Sequence, residues 1–391
     1  MNTQIKVKSR DNQFSINLYI FLVCLNIASR IISSSTLSSF LFIEKSLWNS
    51  ILVKITIFGC FGIFLLNKKY VKRKILIMLI LSIFTIITTV KSNNMGFVQI
   101  FSFILAYPAN LDIIKIAKWQ SYTFNWITAF VFFMYKTGFI TGVIDWRDEK
   151  IRNSCGFTSA NGFANTILLS LMIFMYYKQD KWKLKHSIIW TSIIVYVYTM
   201  TNSRMSFIFE IVVVAIMTFR YFKNKNFEKF IFILSKYAFN SCLIFSILIT
   251  ILYANGYFTK ALTALNALLT YRLSYMMKYF KDPGITLFGQ GLTMVSKAQA
   301  LSTGERWSGL DNSYMYMLIV WGIVGIFIFT LFMYMLAKYL KSTKNYYGAL
   351  YTLIISFVGI TENFLVIVPY NFTIILIAQM ISERKKRRNV R

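Results

Sequence analysis

Apolar stretches of about 15 to 23 residues follow one another along this chain with short polar turns between most of them, which leaves few ways of folding in water. Wound as a helix, such a stretch crosses a hydrocarbon core of roughly 30 Å and satisfies its own backbone hydrogen bonds there. With 57% of residues hydrophobic, the chain lacks the polar surface that a soluble domain needs. About twelve transmembrane spans are placed near 14–33, 47–66, 75–90, 95–107, 120–140, 162–177, 187–201, 206–222, 238–254, 314–337, 346–360 and 365–381. The expected fold is all-α and polytopic, with residues 1–391 making a single integral membrane domain. The first run follows Lys6, Lys8 and Arg10, as in a signal peptide, but no Ala-x-Ala site follows it, so it is read as a retained helix.

A formal net charge of +29 raises nucleic acid as a partner, and the distribution of that charge argues against it. About 28 of the 43 Lys and Arg fall in alternate loops with about 5 acids, while the rest share the other loops and spans with about 9 acids. The basic turns Lys68–Lys74, Lys115–Lys118, Lys178–Lys185, Arg220–Lys236 and Lys338–Lys344 and the Arg384–Arg391 tail then lie on the cytoplasmic side with both termini, against anionic membrane lipids. Cys24, Cys60 and Cys242 fall in spans and Cys155 in a loop, so no disulfide framework is expected. After Pro108, the spacing of Leu111, Ile113, Ile114, Ile116 and Trp119 against Asp112, Lys115 and Lys118 predicts an inner-surface helix ahead of the fifth span.

Chemistry is therefore sought in the outer polar segments. These are Asp145–Asn161, the tight turn Thr201-Asn202-Ser203-Arg204, and the long polar stretch 255–313, read as the external catalytic loop of a membrane enzyme. In that loop Phe258, Leu262, Leu265, Leu269, Leu273, Met276 and Phe280 recur at helical spacing, predicting an amphipathic helix on the outer membrane surface that Asp282-Pro283-Gly284 ends. A Gly289-Gln290-Gly291 turn follows, and Leu310-Asp311-Asn312-Ser313-Tyr314 leads back into an apolar run.

Arg204 sits between two apolar spans, where a guanidinium needs an anion nearby; a snorkelling interfacial arginine is the plainer alternative. Arg272, with Lys278 and Lys281, is expected mid-helix, facing either headgroups or a ligand. Arg152 and Arg147 have local pairing with Asp145, Asp148 or Glu149 as their plain alternative. Guanidinium forks on one membrane face suit a lipid-linked diphosphate, whose departure they would stabilise. Asp311 is the candidate base, with Asn312, Glu305, Arg306 and Trp307 beside it to hold a sugar and a helix N-cap as its alternative role. Glu362 is a second outer carboxylate, and Glu210 in the eighth span reads as structural or paired. The only histidine, His186, falls in a cytoplasmic loop, which excludes His-metal sites and Ser-His triads outside. With no Walker A, GxSxG, Asp-x-Asp or GxGxxG motif, the transferred group is expected to arrive already activated, with no metal and no cofactor.

The order of Arg152-Asn-Ser-Cys-Gly156-Phe157 with Ala160-Asn161, Thr201-Asn-Ser-Arg204, Tyr271-Arg272-Leu273, Leu287-Phe288-Gly289-Gln290-Gly291 and Leu310-Asp311-Asn312-Ser313-Tyr314 with Gly322-Ile-Val-Gly325 resembles the Wzy-type polysaccharide polymerases of the O-antigen polymerase and ligase superfamily. The likeness is greatest to the Gram-positive capsule and exopolysaccharide type. It implies transfer of a growing glycan from undecaprenyl diphosphate onto a lipid-linked repeat unit outside the cytoplasmic membrane, with a flippase and a chain-length regulator as further partners. Arg152, Arg204 and Arg272 would hold the diphosphate, Asn161, Asn312, Glu305 and Glu362 would contact substrate, and Asp311 would be the base. A ligase would carry a histidine at the Asp311 position, so a glycan ligase, like a lipid-linked oligosaccharide flippase, stands as an alternative.

Overall fold

The computed structural model describes the chain except at residues 1, 42–43, 67–71, 109, 148, 221–224, 296–303, 305–307 and 384–391. Within those bounds it is predominantly helical, with one two-stranded sheet. Among the described residues, five helices are long and apolar enough to cross a membrane: Gln13–Ser33, Leu47–Leu66, Ala160–Lys181, Asn226–Ala254 and Ser313–Ser342. The helix Lys45–Leu66 shows what solvent it needs. Ile51, Ile55, Phe58 and Leu65 line one face and are 41% to 73% exposed. In water each such side chain forgoes roughly 1.5–3 kcal/mol of transfer free energy, whereas hydrocarbon removes the cost.

The chain divides into two compact units. One comprises Met1–Lys68, Ser102–Phe227 and Ile381–Arg391. Here Ile113–Lys136 packs against Asn2–Ser33 and Ala160–Lys178, and the consecutive helices Leu184–Thr201 and Arg204–Phe219 pack on each other and on Ala160–Lys178. The inner-surface helix and the fifth span expected separately are one continuous helix, Ile113–Lys136, because Asp112 caps its start by accepting from Ile114 N at 2.9 Å and nothing interrupts it. Part of Asp145–Asn161 forms an antiparallel hairpin of Ile144–Arg147 and Lys150–Asn153, pairing Asp145 with Arg152 and Trp146 with Ile151.

The other unit comprises Lys69–Phe101 and Glu228–Met380. The single amphipathic helix expected from Phe258 to Phe280 is two helices, Thr259–Leu268 and Arg272–Lys281, parted at Thr270 and Tyr271, which have positive φ. Asn266 stabilises the break: its Oδ1 accepts from Ser274 N at 3.2 Å and its Nδ2 donates to Ser274 Oγ at 2.8 Å. Arg272, expected mid-helix, thus opens the second helix. The tenth span is also interrupted, with a π-helical turn at Met317–Trp321 and Gly322 at φ +74° before the helix Gly322–Ser342. Thr286 O and Leu287 O accept from Ile323 N and Val324 N at 3.1 Å each, and Gln290 N donates to Ile319 O at 3.1 Å. The Gly289 turn is therefore a brace for a broken helix.

The last expected span, 365–381, begins as two short 3₁₀ turns, Phe364–Val366 and Val368–Tyr370, and only Thr373–Glu383 is α-helical. Pro369 withholds a backbone donor, and buried side chains take over the pairing. Asn371 Nδ2 donates to Leu365 O at 2.8 Å, and Tyr351 Oη accepts from Phe372 N at 3.2 Å. The Lys68–Lys74 turn lies partly, and the Arg384–Arg391 tail wholly, outside the described residues.

A Cβ at Gly289 would lie 2.0 Å from Val320 O, and one at Gly322 would lie 2.3 Å from Gly289 N, both against backbone that cannot step aside. Gly289→Ala is expected to destabilise the protein by at least about 2 kcal/mol, seen as a lowered unfolding temperature by tryptophan fluorescence in detergent. Gly62→Ala, with nothing within 4 Å and a helical backbone, is expected to leave it unchanged or raise it.

Candidate functional site

In the second unit the end of the 255–313 stretch meets the turn that follows helix Tyr346–Val358. Ser313 N donates to Gly359 O at 2.8 Å, Ser313 Oγ to Glu362 O at 2.5 Å, and Asn363 Nδ2 bonds Leu310 O. These bonds fix the 310–313 segment against Thr361-Glu362-Asn363 and bring two carboxylates of distant sequence onto one guanidinium. Arg272 Nη2 lies 2.8 Å from Glu362 Oε1 and 3.9 Å from Asp311 Oδ2. The arginine and glutamate side chains are 9% and 15% exposed, while Asp311 is 34% exposed. Burial alone would lower the Arg272 pKa, but Glu362 and Asp311 outweigh it and hold it above the ordinary arginine value.

Arg272 opens its helix, where a cation faces the positive end of the peptide dipoles; the two carboxylates supply the opposite charge that such a position requires. One arginine and two carboxylates carry a formal charge of −1, so the guanidinium is already neutralised by the protein's own side chains. Asp311 is the more open of the two carboxylates.

Asp311 is not the cap of the following helix. That place belongs to Asn312, whose Oδ1 accepts from Met315 N at 2.8 Å while its Nδ2 donates to Ile360 O at 2.8 Å and Ser246 Oγ at 3.1 Å. Asn312, expected to contact substrate, is fully buried and caps the helix start next to Asp311. Glu305, with Arg306 and Trp307, lies outside the described residues.

In the first unit Arg152 is buried, with Nε donating to Thr201 O at 2.6 Å and Nη2 to Asn161 Oδ1 at 2.5 Å, and with Asp145 3.7 Å from Nη1. Burial lowers its pKa from the ordinary arginine value against the opposing effect of Asp145. Ser203 Oγ also donates to Asn161 Oδ1, at 3.3 Å, so Arg152 and Asn161 together set the Thr201-Asn202-Ser203-Arg204 turn. Arg204 itself is exposed and is the first residue of helix Arg204–Phe219. A cation there opposes the helix dipole, and an anion brought to it would meet both the guanidinium and the start of the helix.

No protein family, curated protein or solved structure matches the chain. Physical geometry is what distinguishes the sites. Among the described residues, no group of three or more His, Cys, Asp and Glu is placed to hold a metal ion. The structure brings Arg272, Asp311 and Glu362 together in one unit and Arg152, Asn161 and the Arg204 turn together in the other. Sequence reasoning missed the Asn363 clasp, for which the polar Thr-Glu-Asn triplet was the available signal, while its plain alternative for Arg152, local pairing with Asp145, is the contact the structure shows.

Removing one member of the buried Arg272–Glu362 pair strands the other, so Arg272→Met and Glu362→Met are each expected to destabilise by about 3–5 kcal/mol, and the double variant by less than their sum. Thermal unfolding in detergent measures the cycle. Additive losses would show the two uncoupled.

Proposed function

We propose that this chain is a glycan polymerase of the cytoplasmic membrane that lengthens lipid-diphosphate-linked oligosaccharides at the outer face. In this account about twelve spans carry it across the bilayer with both termini cytoplasmic and the 255–313 loop outside. The acceptor hydroxyl oxygen attacks the anomeric carbon of the donor sugar. A glycosidic C–O bond forms, the anomeric carbon–diphosphate bond breaks, the diphosphate leaves with the electron pair, and the hydroxyl proton passes to the Asp311 carboxylate. Direct displacement inverts the anomeric centre. Undecaprenyl diphosphate is the carrier the sequence resemblance implies, and a flippase and chain-length regulator would be its partners.

Support comes above all from the Asp311–Arg272–Glu362 group: a partly open carboxylate held by a buried arginine that a second carboxylate holds in turn. Arg272 acts here as a positioning residue for the base. Arg204, exposed at a helix start, has the chemistry for a phosphate. One observation favours transport as a second reading: Glu210 is 1% exposed in helix Arg204–Phe219, and its Oε1 has no hydrogen-bond partner. Ionisable groups inside a membrane often mark a transport path.

Gene deletion separates the two. Loss of a polymerase leaves single repeat units outside, and loss of a flippase traps them inside. In complementation, Asp311→Asn is expected to cut polymer formation by about 10²-fold or more at normal protein level. Arg204→Ala is expected to abolish long chains and Arg204→Lys to restore few, since a point charge does not replace a fork. Wild-type chain lengths from Asp311→Asn would remove Asp311 from the mechanism.

A further inference from the structure

The turn Ser92-Asn93-Asn94 joins helix Lys72–Ser92 to helix Gly96–Ala106, and it faces a cavity of about 350 Å³ lined by Gly291, Leu292, Thr293, Tyr316 and Val320 as well as the turn itself. All of these residues belong to the second unit. The volume falls within the roughly 300–1,000 Å³ of small-molecule sites. Its walls are held on three sides. Asn94 accepts from Gly96 N at 2.8 Å and donates to Tyr316 Oη at 2.9 Å, while Tyr279 Oη donates to Thr293 O at 3.3 Å. The Gly289–Gly322 crossing sets Gly291 and Val320 beside each other. Tyr316 lies one helical turn beyond Asn312, its N donating to Asn312 O at 2.9 Å, so the cavity adjoins the segment that carries Asp311.

The chemistry of the lining selects among ligands. The eight described lining residues carry no formal charge, so a diphosphate would lose its hydration there without gaining a cation. A hydrocarbon tail would strand the amide of Asn93 and the hydroxyl of Thr293, whereas Ser92 Oγ already donates to Thr88 O at 2.6 Å and Asn94 already donates to Tyr316 Oη. A sugar ring meets both demands, offering hydroxyls to those groups and an apolar C–H face to Leu292 and Val320.

We propose that this cavity is a subsite for one neutral sugar of the acceptor glycan, an assignment that rests on the polymerase function proposed for the same unit. It would select the acceptor by its hydroxyl pattern while Asp311 acts on the attacking hydroxyl.

The test is binding by the full-length chain in detergent, followed by saturation-transfer NMR titration. The probe is the phosphate-free oligosaccharide released by mild acid from lipid-linked glycan of cells lacking this chain. Wild-type protein is expected to bind it. Tyr316→Phe and Thr293→Val should each weaken binding about fivefold, the size of one neutral hydrogen bond. At Gly291 a Cβ would lie 3.6 Å from Ser92 O, an ordinary contact, so a side chain can start there without displacing backbone, and Gly291→Phe, which fills the cavity, is expected to lose more than about tenfold. Wild-type protein that takes up only detergent or lipid, or unchanged affinity in Tyr316→Phe and Gly291→Phe together, overturns the subsite. Binding without any lengthening of lipid-linked units would instead retire the polymerase function and leave the sugar cavity standing.

Discussion

Backbone amides and carbonyls away from water must be paired, and in this protein the places where a helix fails to pair its own are held by other segments close to Arg272, Asp311 and Glu362. At Gly322 the helix is broken, and the Thr286–Gln290 segment supplies both the acceptors and the donor that the break requires. That brace ties the 286–290 segment to the helix Gly322–Ser342. At Thr270 and Tyr271 a second break, stabilised by Asn266, turns Arg272 into the first residue of a helix. At Phe364–Asn371 a third irregular stretch, satisfied by Asn371 and Tyr351, follows the turn that presents Glu362.

Among the described residues, the two buried arginines are held by carboxylates and carbonyls of the protein itself. Arg272 holds Glu362 and Asp311; Arg152 holds Asp145, Asn161 and the carbonyl of Thr201. Their forks are thus committed to fixing neighbours in place, and a guanidinium suits that task because it stays charged when buried and offers five donors in one plane. Arg204 differs in being exposed and in opposing the dipole of its own helix. The distinction separates the two arginines that fix neighbouring segments from Arg204, which lies at the surface.

Much of this could be read from the sequence. Helical apolar runs, and polar segments between them that hold Arg152, Arg204, Arg272, Asp311 and Glu362, follow from the cost of charge near lipid. The breaks could not. The apolar spacing of Leu265, Leu269 and Leu273 continues in phase across Thr270, so periodicity alone predicts one helix where a single asparagine side chain sustains two. Likewise Asp311 and Asn312 are equally good caps by composition, and only the clasp of Ser313 and Asn363 onto the Glu362 turn decides that Asn312 is used. The Ser92-Asn93-Asn94 turn is a short polar link between apolar runs, ordinary in sequence, and becomes distinctive only when Tyr316 and Gly291 are placed beside it.

The most direct measurement is reconstitution. The purified chain in liposomes, given only lipid-diphosphate-linked repeat units on the outward-facing side and neither nucleotide nor other protein, should convert them into a ladder of longer glycans with release of the lipid diphosphate. Correctly folded protein that leaves the units single, or that moves them between leaflets without joining them, would contradict the account.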